Sequence, residues 1–173
     1  MRKPLSFLFI SLLLSVCASI PSPEITISEP DRIRFHGKGA GAGMMLMSSM
    51  GPMGIAVGVA IDEGIGKDID QAAKVAGFNI QTTLLQHLPA KHTITSITID
   101  RYGFVLRSGK DDPAASQLHI TAILKDGGKI QIKYPEEFDE KTVETCPLEK
   151  LKKYGALTVK AFDEVIPVVI GRM

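Results

Sequence analysis

The stretch Gly39–Ile61, GAGAGMMLMSSMGPMGIAVGVAI, decides how this chain folds. It is 23 residues long, carries no charged side chain and consists mainly of glycine, methionine and small aliphatic residues. As one straight helix it would be about 34 Å long, enough to cross the hydrocarbon core of a bilayer. Pro52 argues against a straight helix, because proline removes a backbone donor and kinks or ends a helix. Gly51-Pro52 therefore predicts a hairpin of two helices, each about 18–20 Å long, that could enter one leaflet and return.

The glycines of this region recur at the spacing that close helix packing requires. The pairs four residues apart are Gly37 with Gly41, Gly39 with Gly43, and Gly54 with Gly58. Small residues one turn apart leave a groove along a helix, so the backbone of a partner helix can approach and gain dispersion contacts. We predict that these six glycines pack the two helices together, with methionines and aliphatic residues covering the remaining surface.

Three environments for the hairpin remain open from the sequence. The hairpin can insert into a membrane, it can be buried inside the globular fold, or its glycine faces can self-assemble side by side with other copies. A chain of 173 residues has little room to bury 23 further apolar residues, which favours the membrane.

The N-terminus has the pattern of an export signal. Arg2 and Lys3 precede the apolar segment Leu5–Val16, whose 12 residues are too few for a comfortable membrane-spanning helix. Its end, LSVC at 14–17, resembles the lipobox of bacterial lipoproteins, in which the cysteine becomes the lipidated first residue. An ordinary signal-peptidase cut before Ser19 and an uncleaved N-terminal anchor are the alternatives.

The residues after Cys17 favour lipid anchoring, because serines and prolines there form a short extended tether. They are Ser19, Pro21, Ser22 and Pro23. If Cys17 is lipidated or removed, Cys146 is the one cysteine left and no internal disulfide can form. Cys146 is then expected to be a small buried apolar residue, with an intermolecular bridge or a Cys17–Cys146 bridge as alternatives.

Residues 1–66 resemble the glycine-zipper-containing outer-membrane lipoproteins of Gram-negative bacteria. The likeness rests on LSVC (14–17), GKGAGAG (37–43) and GIAVGVAIDEGIG (54–66). It implies a Cys17 that carries fatty acyl chains such as palmitate, and a structural or stress-associated role without catalysis. It also implies a place in the cell envelope. Ala18, rather than Asp, in the second position of the mature chain suggests the outer membrane, facing the periplasm.

The rest of the chain predicts an α+β fold. Alternating or β-branched apolar residues predict strands at 25–27, 33–35, 92–108, 117–125 and 129–134. Apolar residues three and four apart predict a helix from Asp68, its cap, to Leu88, and another from Leu148 to Ile166 with Tyr154 facing inward. A strand at 157–162 is the alternative to the second helix. We predict a small antiparallel sheet with helices on one face, plus the N-terminal glycine-rich hairpin.

The predicted organisation has four parts. They are a signal peptide with its lipobox (1–17), a tether with short strands (18–36), the glycine-rich apolar segment (37–66) and an α+β periplasmic domain (67–173). The acidic residues that follow the apolar run, Asp62 and Glu63 among them, are expected to mark its exit from lipid and to cap the next helix.

Composition and motifs predict neither catalysis nor a metal, cofactor or nucleic-acid site. Without Arg2 and Lys3 the mature chain has 18 basic against 19 acidic residues, so a nucleic-acid partner is not expected. The four histidines lack zinc spacing, and no nucleophile motif occurs. The methionine cluster is expected to serve packing rather than Cu(I) binding. GKGAGA at 37–42 fits a dinucleotide fingerprint, but Pro52 interrupts the helix that should follow.

These observations predict a non-catalytic envelope lipoprotein, associated with the membrane through its lipid anchor and glycine-zipper segment. It would act as a structural, assembly or binding module. Its expected partners are membrane lipid and either a second copy of the chain or another envelope protein. The alternative is a soluble periplasmic domain that binds a small apolar ligand or lipid against the pliable methionine run.

Overall fold

The computed structural model describes residues 22–89, 93–107 and 113–173. Cys17, the signal segment and most of the tether lie outside these residues. Within the described residues the chain forms a mixed α+β fold with one sheet of six strands and five α-helices.

The elements follow one another in a simple order. Two short strands come first, β1 (Glu24–Ile27) and β2 (Arg34–His36). Three helices follow, α1 (Lys38–Met50), α2 (Pro52–Val75) and α3 (Ile80–His87). The longer strands are β3 (Ile94–Leu106), β4 (Pro113–Leu124) and β5 (Lys129–Tyr134). A 3₁₀ turn (Glu140–Thr142) leads to β6 (Thr145–Pro147), α4 (Leu148–Leu151) and α5 (Gly155–Ile170).

The sheet is mixed, so the prediction of an antiparallel sheet is wrong for its first two strands. β1 and β2 both run parallel to β3, with Ile25 opposite Ile97 and Phe35 opposite Phe104. The other pairs are antiparallel: β4 with β3, and β5 and β6 with β4. Parallel pairing arises because α1 to α3 carry the chain back to the starting end of the sheet before β3 begins.

The core lies between the sheet and the helices. Phe162 of α5 packs against Tyr102 and Phe104 of β3, with ring centroids 6.3 and 5.7 Å apart. Ile69 and Ala73, on the second half of α2, are buried in the same cluster. Each large apolar side chain in such a core stabilises the fold by about 1.5–3 kcal/mol.

The helix expected from Asp68 to Leu88 is two helices, and neither starts at Asp68. α2 runs from Pro52 through Asp68, an exposed residue, to Val75. The chain then turns at Gly77, whose φ is +78°, and Asn79 caps α3 by accepting a hydrogen bond from the Thr82 N–H (2.9 Å). The start at Asp68 is wrong because α2 continues through Gly64 and Gly66, and a glycine in a helix interior costs only about 1 kcal/mol. The predicted boundary between residues 66 and 67 thus falls inside α2.

The C-terminal segment also differs from the single helix that was predicted. Gly155 begins α5, and Pro167 lies inside that helix, which continues to Ile170. Residues 157–162, the alternative strand, are helical. Tyr154 was predicted to face inward, but it is 60% exposed because it sits at the junction that precedes α5 rather than on a helix face.

Candidate functional site: the glycine-packed hairpin

Helices α1 and α2 form an antiparallel hairpin whose inner contact is made by glycine backbone. Gly39 and Gly43 are the buried residues of α1, and Gly54 and Gly58 are the first buried residues of α2. A methyl group added to Gly39 would collide with the carbonyl oxygen of Gly58, and one added to Gly58 would collide with that of Gly39. These backbones are therefore too close for any side chain at the contact.

The four inner glycines are not equally crowded. A Cβ on Gly54 would lie 2.5 Å from the Met47 nitrogen, which is too close for a real contact. A Cβ on Gly43 would find its nearest neighbour, the Gly54 carbonyl oxygen, at 3.1 Å. A small shift of the backbone could accommodate that second methyl group, so Gly43 is the least demanding of the four.

The structure does not bring the other two predicted glycines, Gly37 and Gly41, into this contact. Gly41 faces open space, with no atom within 4 Å of a built Cβ. Gly37 precedes α1 with a φ of 122°, and its Cβ would meet the Cβ of Leu106 at 2.9 Å. Gly37 thus serves the junction between the hairpin and the sheet. Cys17, the remaining predicted site residue, lies outside the described residues.

Asp62 joins the base of the hairpin. Its carboxylate accepts hydrogen bonds from the backbone N–H groups of Gly37 (3.0 Å) and Gly39 (2.6 Å) at the start of α1. Because Gly37 has no side chain to cap α1, the carboxylate of α2 supplies the acceptor and the favourable charge. Asp62 was predicted to cap the helix that follows it, but it caps α1, the helix that precedes it.

The capping of α1 by Asp62 and the close packing of Gly66 against β2 were not predicted from the sequence. Gly66 is buried where α2 crosses β2, and its Cβ would lie 3.1 Å from the Ile33 carbonyl oxygen. The signal was present, because Gly54, Gly58, Asp62 and Gly66 are each four residues apart. Gly64, which does not share this spacing, faces open space.

The tip of the hairpin is a tight turn that Gly51 and Pro52 make possible. Gly51 has a φ of +58°, a conformation that favours glycine, and its N–H donates to the Met47 carbonyl (3.0 Å). Pro52 occupies the first turn of α2, where its missing N–H costs nothing. The Gly54 N–H donates back to the Gly51 carbonyl at 2.9 Å, so the turn is closed on both sides.

The large side chains of the hairpin point away from the inner contact. Met44 and Met45 are 78% and 81% exposed. The other exposed large apolar side chains of the segment are Met47, Met50, Met53, Ile55, Val59 and Ile61. No charged residue interrupts this surface between Lys38 and Asp62. Contiguous exposed apolar patches on folded proteins are typical of protein- or membrane-interaction sites.

The two serine hydroxyls near the tip donate hydrogen bonds to backbone carbonyls of their own helix. The Ser48 hydroxyl donates to the Met45 carbonyl (2.8 Å), and the Ser49 hydroxyl donates to the Leu46 carbonyl (3.2 Å). Neither hydroxyl therefore needs water as an acceptor, which reduces the free-energy cost of removing the tip from water.

A cavity of about 260 Å³ lies beside the base of the hairpin, between β2 and α2. Its wall carries Arg32, Arg34 and His36 from one side and Val59, Asp62 and Glu63 from the other. Glu63 pairs with Arg32 at 2.9 Å and with Lys67 at 3.2 Å. The His36 Nε2 is buried without a hydrogen-bond partner in the described part of the chain.

The positive charges around this cavity repel one another. Burial lowers the pKa of the Arg34 guanidinium, and the charges of Arg101 and Arg32 lower it further. Burial also lowers the pKa of His36, with Arg101 and Arg34 acting in the same direction and Asp62 opposing them. Arg34 donates to the Glu29 carbonyl oxygen (2.9 Å) rather than to a carboxylate.

Cys146 is a free cysteine near the C-terminal helix. Burial, followed by Glu164 and Glu144, raises the pKa of the half-buried Cys146 thiol, so it is a poor nucleophile at neutral pH. Residues 22–89, 93–107 and 113–173 contain no group of three or more His, Cys, Asp or Glu side chains that could hold a metal. Nor does any helix in these ranges have the length and apolar character to cross a membrane.

Comparisons with protein-family models, with curated proteins and with solved structures find no significant match to this chain.

Proposed function

We propose that this protein is a non-catalytic lipoprotein of the cell envelope whose hairpin, Gly39–Ile61, enters one leaflet of a membrane. A lipid on Cys17 would provide a second attachment, at the periplasmic face of the outer membrane. The α+β body would then act as a structural, assembly or binding module. The observation that carries the proposal is the distribution of side chains in the hairpin, which has glycine inside and methionine, isoleucine and valine outside.

This distribution suits lipid better than water. In water, folding buries large apolar side chains, whereas here the contact between the helices buries backbone and leaves them outside. In lipid the exposed methionines gain an apolar solvent, and the helices are held together by close backbone packing. The Ser48 and Ser49 hydroxyls bond to the helix itself, so they add no unpaired donor in hydrocarbon.

The hairpin has the dimensions of one leaflet. The 13 residues of α1 correspond to a length of about 20 Å. Half of a bilayer's hydrocarbon core is about 15 Å thick. The hairpin can thus place its tip near the bilayer midplane while Lys38, Asp62 and Glu63 stay among the headgroups.

The exposed apolar residues lie on several sides of the hairpin, which favours lipid over a second copy of the chain. Met44 and Met45 are consecutive, so their directions differ by about 100° around α1. Met53 and Ile55 differ by about 200° around α2. A single dimer interface would cover one side and leave the others in water, whereas lipid covers all of them.

The lipid anchor and the hairpin attach to opposite ends of the sheet. β1 begins opposite Ser96, near the start of β3, whereas His36, which leads into the hairpin, lies opposite Val105. Nine strand residues separate those two positions, about 30 Å. The seven steps from Cys17 to Glu24 span at most about 25 Å. Both attachments can therefore reach one membrane only if the strands are tilted toward it.

Membrane fractionation of Cys17→Ala tests the proposal. This variant removes the acylation site, and we expect the protein to stay in the membrane fraction until detergent is added. Adding Met44→Lys and Met45→Lys should release it, because a lysine in the hydrocarbon costs up to about 2.5–3.5 kcal/mol, the most at the bilayer centre. Ile123→Lys is the matched control, since Ile123 is exposed on β4, away from the hairpin.

The same experiment can reject the proposal. If Cys17→Ala alone becomes soluble, the hairpin does not hold the protein in the membrane, and the soluble ligand-binding alternative is favoured. If lysines at 44 and 45 cause an unchanged, concentration-dependent oligomer to dissociate instead, the apolar surface belongs to a second copy. Intact-mass measurement of the mature protein tests the anchor separately: acyl chains on Cys17 are expected, and an N-terminus at Ser19 would contradict them.

A further inference from the structure

The cavity beside the base of the hairpin has the chemistry of a site for the headgroup of a lipid. It lies beside the part of α2 where the uncharged segment ends at Ile61 and the first acidic residue, Asp62, follows. Val59 belongs both to the exposed apolar surface and to the cavity wall. Ile55 is one turn earlier on α2, so an apolar strip leads from the hairpin into the cavity.

The cavity offers donors for an anion. The carboxylates on its wall are already engaged, since Asp62 accepts from two backbone N–H groups and Glu63 pairs with Arg32 and Lys67. Arg34 has no carboxylate partner among the described residues, and its neighbours Arg101 and Arg32 are also cationic. The His36 Nε2 is a second buried polar atom without a partner in those ranges. An anion between them would relieve the repulsion and accept their hydrogen bonds.

We infer that this cavity binds the phosphate group of a membrane phospholipid, with the acyl chains lying along Val59 and Ile55. The inference rests on the proposed function, because it places the cavity at the depth of the headgroups. Arg34 is the principal donor to the phosphate oxygens. The bound phospholipid fixes how deeply the hairpin sits in the leaflet.

Vesicle partitioning of Cys17→Ala with and without Arg34→Gln tests the inference. On vesicles of phosphatidylethanolamine and phosphatidylglycerol we expect Arg34→Gln to weaken partitioning about tenfold, the effect of one charge-assisted contact. Lys38→Gln is the matched control, because Lys38 is exposed at the start of α1 and does not line the cavity. It should weaken partitioning less than Arg34→Gln does, by about fivefold at most, the effect of one lysine near an anionic membrane surface.

Two further arms identify the ligand. On vesicles of a phosphate-free galactolipid, Arg34→Gln should partition like the protein with Arg34. In the nitrogen NMR spectrum, the His36 signal should shift with short-chain phosphatidylglycerol and much less with inorganic phosphate at equal concentration. An equal shift with both would mean that the cavity recognises free phosphate, which overturns the lipid assignment.

Failure of this inference is distinguishable from failure of the proposed function. Equal losses for Arg34→Gln and Lys38→Gln would show diffuse charge attraction and overturn the headgroup site, while leaving hairpin insertion intact. If instead lysines at 44 and 45 leave partitioning unchanged but Arg34→Gln weakens it, the phosphate site stands and insertion fails. Thermal unfolding of Arg34→Gln should match that of Lys38→Gln; a large additional loss would assign Arg34 a structural role and overturn the inference.

Discussion

The carbonyl group of Gly58 fills the space that a side chain on Gly39 would need, and the carbonyl group of Gly39 does the same at Gly58. This reciprocal contact lies near the base of the hairpin, one turn from the carboxylate of Asp62. It brings the backbones of α1 and α2 together and leaves the methionines of the segment, with Ile55, Val59 and Ile61, exposed on the outside.

Alanine at Gly39 or Gly58 is therefore expected to open the hairpin. Forcing a methyl group into such a contact costs about 1–3 kcal/mol. Because α1 packs mainly on α2, we expect this loss of stability to appear as faster amide hydrogen exchange within α1. Exchange in the sheet should change less.

Matched alanine variants separate this packing from helix propensity. Gly41 and Gly64 face open space, so an alanine at either position meets no neighbour. Because alanine favours helix, each substitution should slow amide exchange in its helix, with a gain of up to about 1 kcal/mol in local stability. Gly43→Ala, with a closest approach of 3.1 Å, should fall between the two groups. Equal effects at Gly39 and Gly41 would contradict the packing account.

Removing the carboxylate of Asp62 should loosen the base of the hairpin. Asp62→Ala leaves the N–H groups of Gly37 and Gly39 without their acceptor, and we expect a loss of about 1–2 kcal/mol in the free energy of unfolding, as for a lost helix cap. Asp62→Asn keeps one acceptor and should lose less. Denaturant titration measures both, with Asp68→Ala, an exposed acid on the same helix, as the control. No difference between Asp62→Ala and Asp68→Ala would refute the capping role.

Acid should destabilise the fold partly through His36. Its folded pKa is lowered, chiefly by burial and by Arg101, so the unfolded chain binds the proton more readily. The contribution of His36 to stability is therefore present above its unfolded pKa of about 6.5 and is lost as pH falls through the folded pKa. Denaturant titrations at stepwise pH should show a smaller acid loss for His36→Gln than for the unchanged protein. Identical pH profiles would show that the pKa of His36 does not differ between the folded and unfolded chain.

The geometry of the tether predicts that its length matters. Deleting residues 19–22 leaves three steps between Cys17 and Glu24, a reach of about 10 Å. If lipid anchor and hairpin share one membrane, the anchored protein should then hold its hairpin less deeply, which a water-soluble thiol reagent detects at Ser48→Cys in a Cys146→Ala background. The same deletion without Cys17 should have no effect. Unchanged protection in the anchored protein would mean that the tilt of the strands does not limit insertion.

Spacing in the sequence identified the hairpin but not the register of its contact. Gly37 with Gly41 and Gly39 with Gly43 have the same four-residue step, yet only the second pair faces α2. Two residues correspond to a rotation of about 200°, and the side of α1 that faces α2 is set where Gly37 meets Leu106 and Asp62. Such contacts join residues far apart in sequence, so local spacing cannot reveal them.

Strand positions were likewise easier to predict than strand partners. The alternation around Ile25 and Phe35 located β1 and β2, because alternation depends on the two faces of one strand. Pairing direction depends on where the chain travels between strands. Three helices between β2 and β3 make both early strands parallel to β3, and nothing within either strand encodes that.

The central claim is that the hairpin lies in the hydrocarbon of one leaflet, and the accessibility of a spin label tests it most directly. The label is placed at Met45→Cys or, as the control, at Val75→Cys, in a Cys17→Ala, Cys146→Ala background; both side chains are highly exposed in the fold, at 81% and 85%. On vesicles of phosphatidylethanolamine and phosphatidylglycerol, the label at 45 should meet dissolved oxygen readily and a water-soluble nickel chelate rarely, with the reverse at 75. If vesicle-bound protein shows equal exposure of both labels to the nickel chelate, the hairpin does not enter the membrane.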